Sequence, residues 1–257
     1  MPDIQQAYIE ISKDIVNVSD NIKLNLDKYQ DYLGWADLDS PIFKNPEILF
    51  VGINPGPGRF IHWNRFNWDK NKKCLKDPTK KIIPAESANL WRSHLQWIVD
   101  DNAREGKWWD KSKRMKNLFP YTMCELLVRI YRHDYPDMSR EKLSDLFEQK
   151  VMVTNLYPMA TQDASKLYRM IKLYDKTNHV SVRKICHTRF HRLLDLTNPH
   201  VIVLLGDTVT HELYDELKGQ RLVLPISRKR GWHDKGNILN LAEEINNLKE
   251  ELDDFTL

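Results

Sequence analysis

Cysteine is scarce in this chain of 257 residues, with Cys74, Cys124 and Cys186 scattered and odd in number. They make neither a disulfide framework nor a four-cysteine zinc or iron–sulfur site, and read as reduced core thiols. No apolar run approaches the ~18 uncharged residues of a spanning helix, so no membrane partner is expected. The opening MPDIQQAYIE lacks a signal-peptide pattern, which makes the cytoplasm the expected compartment. Glycine is also sparse, at 9 residues, and there is no repeat, low-complexity tract or Gly/Ser linker. The phosphate-binding motifs are missing as well. Ile61 falls where G-x-G-x-x-G needs its third glycine, and no Gly-Lys-Ser/Thr follows to make a P-loop. His187 and His191 stand four apart, but without the Glu of H-E-x-x-H or a third ligand. The H-x-E and P-C-x-x-C of a zinc deaminase are absent. Neither a metal nor a cofactor is expected.

A net charge of +3 does not by itself call for a nucleic-acid partner, so local clustering decides. Lys and Arg concentrate in residues 65–81 and 228–235, whereas the tail from Glu243 to Asp254 is acidic. Four runs are almost continuously apolar: 47–53, 150–155, 200–205 and 221–226. Parallel strands buried on both faces look like this. Between and around them lie helical patterns at 86–102, 118–132, 139–149, 181–196 and 207–217. Residues 4–33 read as one amphipathic helix and 238–252 as a closing one. This alternation predicts an α/β three-layer sandwich with a central, mostly parallel four-stranded sheet flanked by helices. One domain over 1–257 is expected, monomeric, with an N-terminal helical segment 1–45 and an aromatic and basic insertion over 58–117.

Ligands of an open parallel sheet bind at the carboxyl ends of its strands. The first run ends in Gly52-Ile53-Asn54-Pro55-Gly56-Pro57-Gly58, whose small and rigid residues turn sharply and let a ligand approach the backbone, with the Asn54 amide facing the cleft. A tight connection without chemistry is the plainer reading. The second run ends in Thr154-Asn155-Leu156-Tyr157-Pro158. The Asn155 amide, donor and acceptor together, suits the edge of a base or, more plainly, caps the next helix. The third run ends in Gly206-Asp207-Thr208, a turn and helix cap. The fourth leads into Ser227, Arg228, Lys229, Arg230, Gly231 and Trp232, a basic loop able to grip phosphates and wedge a base stack, or a solvated loop.

GINPGPG, TNLYP, VIVLLG and PISRKRGW, in that order over residues 47–236, resemble the motifs of the uracil-DNA glycosylase superfamily. The first is nearest the mismatch-specific thymine/uracil and single-strand-selective uracil branches. The resemblance implies an enzyme that extrudes a pyrimidine from DNA and hydrolyses its N-glycosidic bond, with DNA as partner. Asn54 then corresponds to the residue that holds the attacking water, and Asn155 to the one that hydrogen-bonds the extruded base, with Gly52, Ile53 and Pro55 around it. Phe66, twelve positions after Asn54, corresponds to the aromatic that stacks on the base. The chain departs from the family twice: the second motif lacks the His that many members use to stabilise the leaving base, and Asn54 stands where the most active branch has aspartate.

An amide is no strong base, so Asn54 would orient water while backbone donors and the leaving base's own anionic character do the rest. No lysine occupies a matched position, so hydrolysis without strand cleavage is expected. Six of the 8 tryptophans fall between Trp63 and Trp109. Trp91 and Trp97 lie at helical spacing and read as core, whereas Trp63 and Trp68, in the polar stretch IHWNRFNWDK, read as pocket lining. Aromatic faces beside amides also suit a sugar. The substrate is therefore uracil or mismatched thymine, or a bulky cytosine such as the glucosylated hydroxymethylcytosine of phage DNA, which would imply antiviral defence. The competing class is a non-catalytic DNA-binding module on the same fold.

Overall fold

A computed structural model describes residues 3–35, 38, 40–55, 68–69, 74–76, 118–139, 142–143, 146–227 and 235–255. In chain order the elements are α1 (Ile4–Leu24), β1 (Gly34–Trp35), β2 (Ile48–Gly52), β3 (Trp68–Asp69), β4 (Cys74–Leu75), α2 (Leu118–Asp134), α3 (Phe147–Lys150), β5 (Val151–Asn155), β6 (Met159–Ala160), α4 (Ala164–Asn178), α5 (Val182–Thr197), β7 (Val201–Leu205), α6 (Asp207–Leu217), β8 (Leu222–Ile226) and α7 (Lys235–Phe255). Contacts divide the chain into two compact units. One holds β2, β5, β7, β8 and the helices α2, α3, α6 and α7. The other holds α1, α4, α5, the short strands β1, β3, β4 and β6, and the turns that begin at Ile53 and Asn155.

The four apolar runs are the four strands of one parallel sheet, ordered β5-β2-β7-β8. Alternate residues serve the two faces. Ile48, Phe50, Val201, Val203, Leu205, Val151 and Ile226 share one core cluster with α2 and α7. Leu49, Val51, Ile202, Leu204 and Met152 point the other way and are equally buried. A two-faced sheet of this kind is the middle layer of an α/β three-layer sandwich, as expected. Helix α2 buries Met123, Leu126, Leu127, Ile130 and Tyr131, and α7 buries Ile238, Ala242 and Ile245, both at helical spacing. Pro225 sits opposite Leu204 in the edge strand β8, where its missing N–H faces no further strand. Gly206 has φ 115°, a conformation L side chains rarely adopt, and its N–H donates to Ile226 O at 2.7 Å. It is itself the N-cap of α6, so neither Asp207 nor Thr208 caps that helix through its side chain.

In the other unit α1 buries Tyr8, Ser12, Ile15, Val18, Ser19 and Ile22. It stops at Leu24 rather than continuing toward residue 33. The Asn25 side chain donates to Asn21 O at 2.8 Å, a local bond that competes with another helical turn. The sequence reading passed over α4. Asp163 caps it by accepting from Lys166 N at 2.9 Å, and Leu167, Met170, Ile171 and Tyr174 form its buried stripe. The expected helix over 86–102 lies outside the described residues, and of 139–149 the structure describes helical residues at 142–143, where Leu143 N donates to Ser139 O at 2.9 Å, and again at α3. Among the described residues, no helix is long and apolar enough to cross a membrane.

Candidate functional site

Strands β2 and β5 are neighbours and parallel, so the chain leaves both at the same edge of the sheet. The two turns that follow are tied together by the Tyr157 N–H, which donates to Ile53 O at 2.9 Å. Gly52, Ile53, Asn54 and Pro55 are all half-buried. The Asn54 amide nitrogen donates to Thr161 Oγ1 at 3.0 Å and to Pro55 O at 3.1 Å, with Met159 O at 3.4 Å. Thr161 in turn donates to Asp163 O at 2.7 Å, so its hydroxyl is free to accept from Asn54. Carbonyl oxygens only accept, and two of the three partners are carbonyls. The polarity of the amide is thereby fixed: nitrogen toward the chain, Oδ1 outward. Among the described residues, none donates to Oδ1.

The platform behind Asn54 is a two-residue antiparallel ribbon in which Gly34 faces Ala160 and Trp35 faces Met159, closed by Leu33 N donating to Ala160 O at 2.8 Å. Thr161 follows that ribbon and is fully buried. A half-buried amide held by a hydroxyl and backbone carbonyls cannot swing, so its oxygen is a fixed acceptor. Such an oxygen orients a water by one of that water's protons and leaves the water's lone pair free to attack.

Asn155 is the last residue of β5 and only 5% exposed. It caps no helix, since Asp163 does that for α4. Its turn is gripped from behind by Arg189 of α5, itself 1% exposed. One guanidinium nitrogen of Arg189 donates to Asn155 O at 2.6 Å and Leu156 O at 3.3 Å, and the other to the Tyr8 hydroxyl on α1 at 3.2 Å. Tyr157 is fully buried and meets the rings of Tyr168 and His187 edge-on, at 6.1 and 6.5 Å between centroids. Burial of a cation is costly unless several acceptors meet it, and carbonyls do so here.

Sequence reasoning found Asn54 and Asn155 but missed Thr161, Arg189, Tyr8 and Tyr157. The signal for Arg189 was present: it stands three residues after Cys186 and four before Leu193, on the buried face of α5. Of the remaining expectations, Trp68 lies in β3 opposite Leu75 of β4, and Ser227 is exposed just past β8. Phe66, Trp63, Arg228, Lys229, Arg230 and Trp232 lie outside the described residues. Cys186 is buried and takes part in no disulfide among the described residues, in keeping with a core role. Compared with protein-family models and with curated proteins, the chain matches none.

Proposed function

We propose that this chain is a monofunctional DNA glycosylase, which hydrolyses the N-glycosidic bond of a flipped-out pyrimidine and leaves an abasic site. The observation that carries the reading is the pair of strand-end amides. Asn54 has its donors committed and its oxygen outward, and Asn155 is rigidly mounted at the end of the adjacent strand. In this mechanism DNA binding extrudes the base at a cost of a few kcal/mol in lost stacking. The Asn54 oxygen accepts a hydrogen bond from water and aims that water at C1′. Asn155 pairs with the edge of the pyrimidine, and Phe66 stacks on it. As the C1′–N bond stretches the sugar becomes oxocarbenium-like, and water attacks from the opposite face. No amine is assigned to attack the sugar, so the strand stays intact.

Two groups of substrate fit this chemistry: uracil or mismatched thymine, and bulky cytosines such as the glucosylated hydroxymethyl form, which would place the enzyme in antiviral defence. The deciding experiment offers matched duplexes and single strands carrying each base, followed by alkaline cleavage. Excision of uracil alone rejects a sugar pocket built from Trp63 and Trp68. Binding in a gel shift without abasic sites on any substrate replaces the enzyme with a DNA-binding module. In either case Arg228, Lys229 and Arg230 are assigned to phosphates or the minor groove and Trp232 to the base stack. Replacing the three charges with Ala lowers the slope of log affinity against log salt by up to ~0.9 per lost phosphate contact.

A further inference from the structure

The stretch 155–196 carries eight Lys and Arg residues against three Asp. Four of these cations lie on α4, and at about 100° per residue Lys166, Arg169, Lys172 and Lys176 fall within one arc of roughly 120°. That arc lies opposite the buried stripe of Leu167, Met170, Ile171 and Tyr174. No carboxylate of the helix shares it, since Asp175 stands outside the arc and accepts from Val182 N at 2.9 Å. Arg169 is 70% exposed and pairs with Asp31, and Lys166 donates to Gln162. Lys172 and Lys176 are exposed and, among the described residues, take part in no ion pair or side-chain hydrogen bond. The first turn of α4 is tied to the amide site, because Asp163 O holds the Thr161 hydroxyl that accepts from Asn54. From there the stripe from Lys166 to Lys176 runs for ~15 Å at 1.5 Å per residue, about four nucleotide steps of one strand at ~3.4 Å each. A membrane surface would need an apolar face to insert, and the apolar face of α4 is buried in the fold, so the helix offers its outside only charge.

We propose that the outer face of α4 is a DNA-backbone surface, in addition to the basic loop after β8: Lys172 and Lys176, with Lys166 nearer the site, bind successive phosphates on one flank of the flipped base. The inference rests on the glycosylase reading for its partner and deepens it, since the helix that begins at the support of Asn54 also holds the strand beside the target. Phosphate contacts fix register and orientation and read no sequence.

The test measures duplex affinity against salt concentration for wild type, for Lys172→Gln/Lys176→Gln, and for Lys13→Gln/Lys218→Gln. The last removes the same charge from exposed lysines on α1 and at the end of α6. The α4 pair is expected to lower the slope of log affinity against log salt by about 1 to 1.8, at ~0.9 per lost phosphate contact, and to weaken binding to duplexes of unrelated sequence alike. The control pair should leave the slope unchanged. Trimming the duplex on one flank of the target base should abolish the difference between the α4 pair and wild type, and trimming the other flank should keep it. An unchanged slope in the α4 pair, an equal fall in the control pair, or a difference that survives both trims would overturn the inference. So would an unchanged DNA slope together with lost binding to phosphatidylserine vesicles, which would assign the face to a membrane. If wild type leaves no abasic site on any substrate while the α4 pair still lowers the slope, the glycosylase reading falls and the DNA surface stands. If wild type excises a base and the slope does not move, only the surface falls.

Discussion

Strands β2 and β5 begin in charge and end in amides. Glu47 directly precedes β2 and Lys150 directly precedes β5, and the two form an ion pair. Lys249 of α7 joins them, at 3.6 Å from Glu47 and 2.7 Å from Asp134. The ring of Tyr131 lies within 5.2 Å of the Lys249 ammonium and 5.6 Å of that of Lys150. Burial, and then the nearby Glu47 carboxylate, push the Tyr131 hydroxyl well above the usual phenol range. Burial alone would lower Lys150, but the hydrogen bond and charge of Glu47 more than offset it. At the other ends stand Asn54, whose amide donates to the Thr161 hydroxyl, and Asn155, neutral groups both. The contrast separates two jobs. Charges that meet their counter-charges on the spot hold strands in place. A neutral amide such as Asn54, held by its nitrogen, can orient a ligand without neutralising it.

The comparison breaks most sharply if the amide end turns out to be structural. Asn54→Ala is expected to cut excision by roughly 10³-fold or more while DNA affinity holds, because positioned water acts in the transition state. Its stability should fall by only about 1 kcal/mol, the net worth of a hydrogen bond. A variant that is unfolded, or fully active, removes the water-holding role. Next in size is the middle of the sheet, which serves both ends. Phe50 is fully buried in the central strand, and Phe50→Ala should cost about 3–5 kcal/mol in urea unfolding. Glu47→Gln at the charged end is smaller still. It leaves Lys150 and Lys249 short of a partner in a site only 17–25% exposed, and should cost about 1–3 kcal/mol with excision by the folded protein unchanged. Loss of activity at constant fold in Glu47→Gln would mean the charged end takes part in the chemistry.

The strands were legible to within a residue or two because strands buried on both faces are written as unbroken apolar runs. Helix α4 was not, since its stripe of Leu167, Met170, Ile171 and Tyr174 is diluted by charged neighbours, although Asp163 followed by that spacing is a readable start. Asn54 and Asn155 could be picked out because position at a strand end is local information. What holds them is not local. Thr161 lies 107 residues from Asn54, and Arg189 lies 34 from Asn155. No spacing rule connects a buried arginine on one helix to the backbone of a turn. Its place on an apolar helix face is all the sequence offers, and from sequence that looks like a misplaced charge.

The smallest predicted effect concerns pH. Burial by itself would raise Asp134, but the Lys249 hydrogen bond, the Lys249 charge and His133 outweigh it and hold the carboxyl below its ordinary 3.8. A group whose value is lower folded than unfolded contributes stability that is fully present above the unfolded value and lost as pH falls through the folded one. The stability difference between wild type and Asp134→Asn should therefore be flat near neutrality and shrink below about pH 4. Asp134 is partly open to solvent, so added salt should shrink the difference further, and it should stay within about 1 kcal/mol throughout. The same measurement on Asn54→Ala sharpens the contrast between the two strand ends. An amide does not titrate and its partners are a hydroxyl and carbonyls, so the stability difference from wild type should show no acid limb. An acid limb in Asn54→Ala would reveal a charged partner for Asn54, and the division between a charged, structural end and a neutral, water-orienting one would no longer hold.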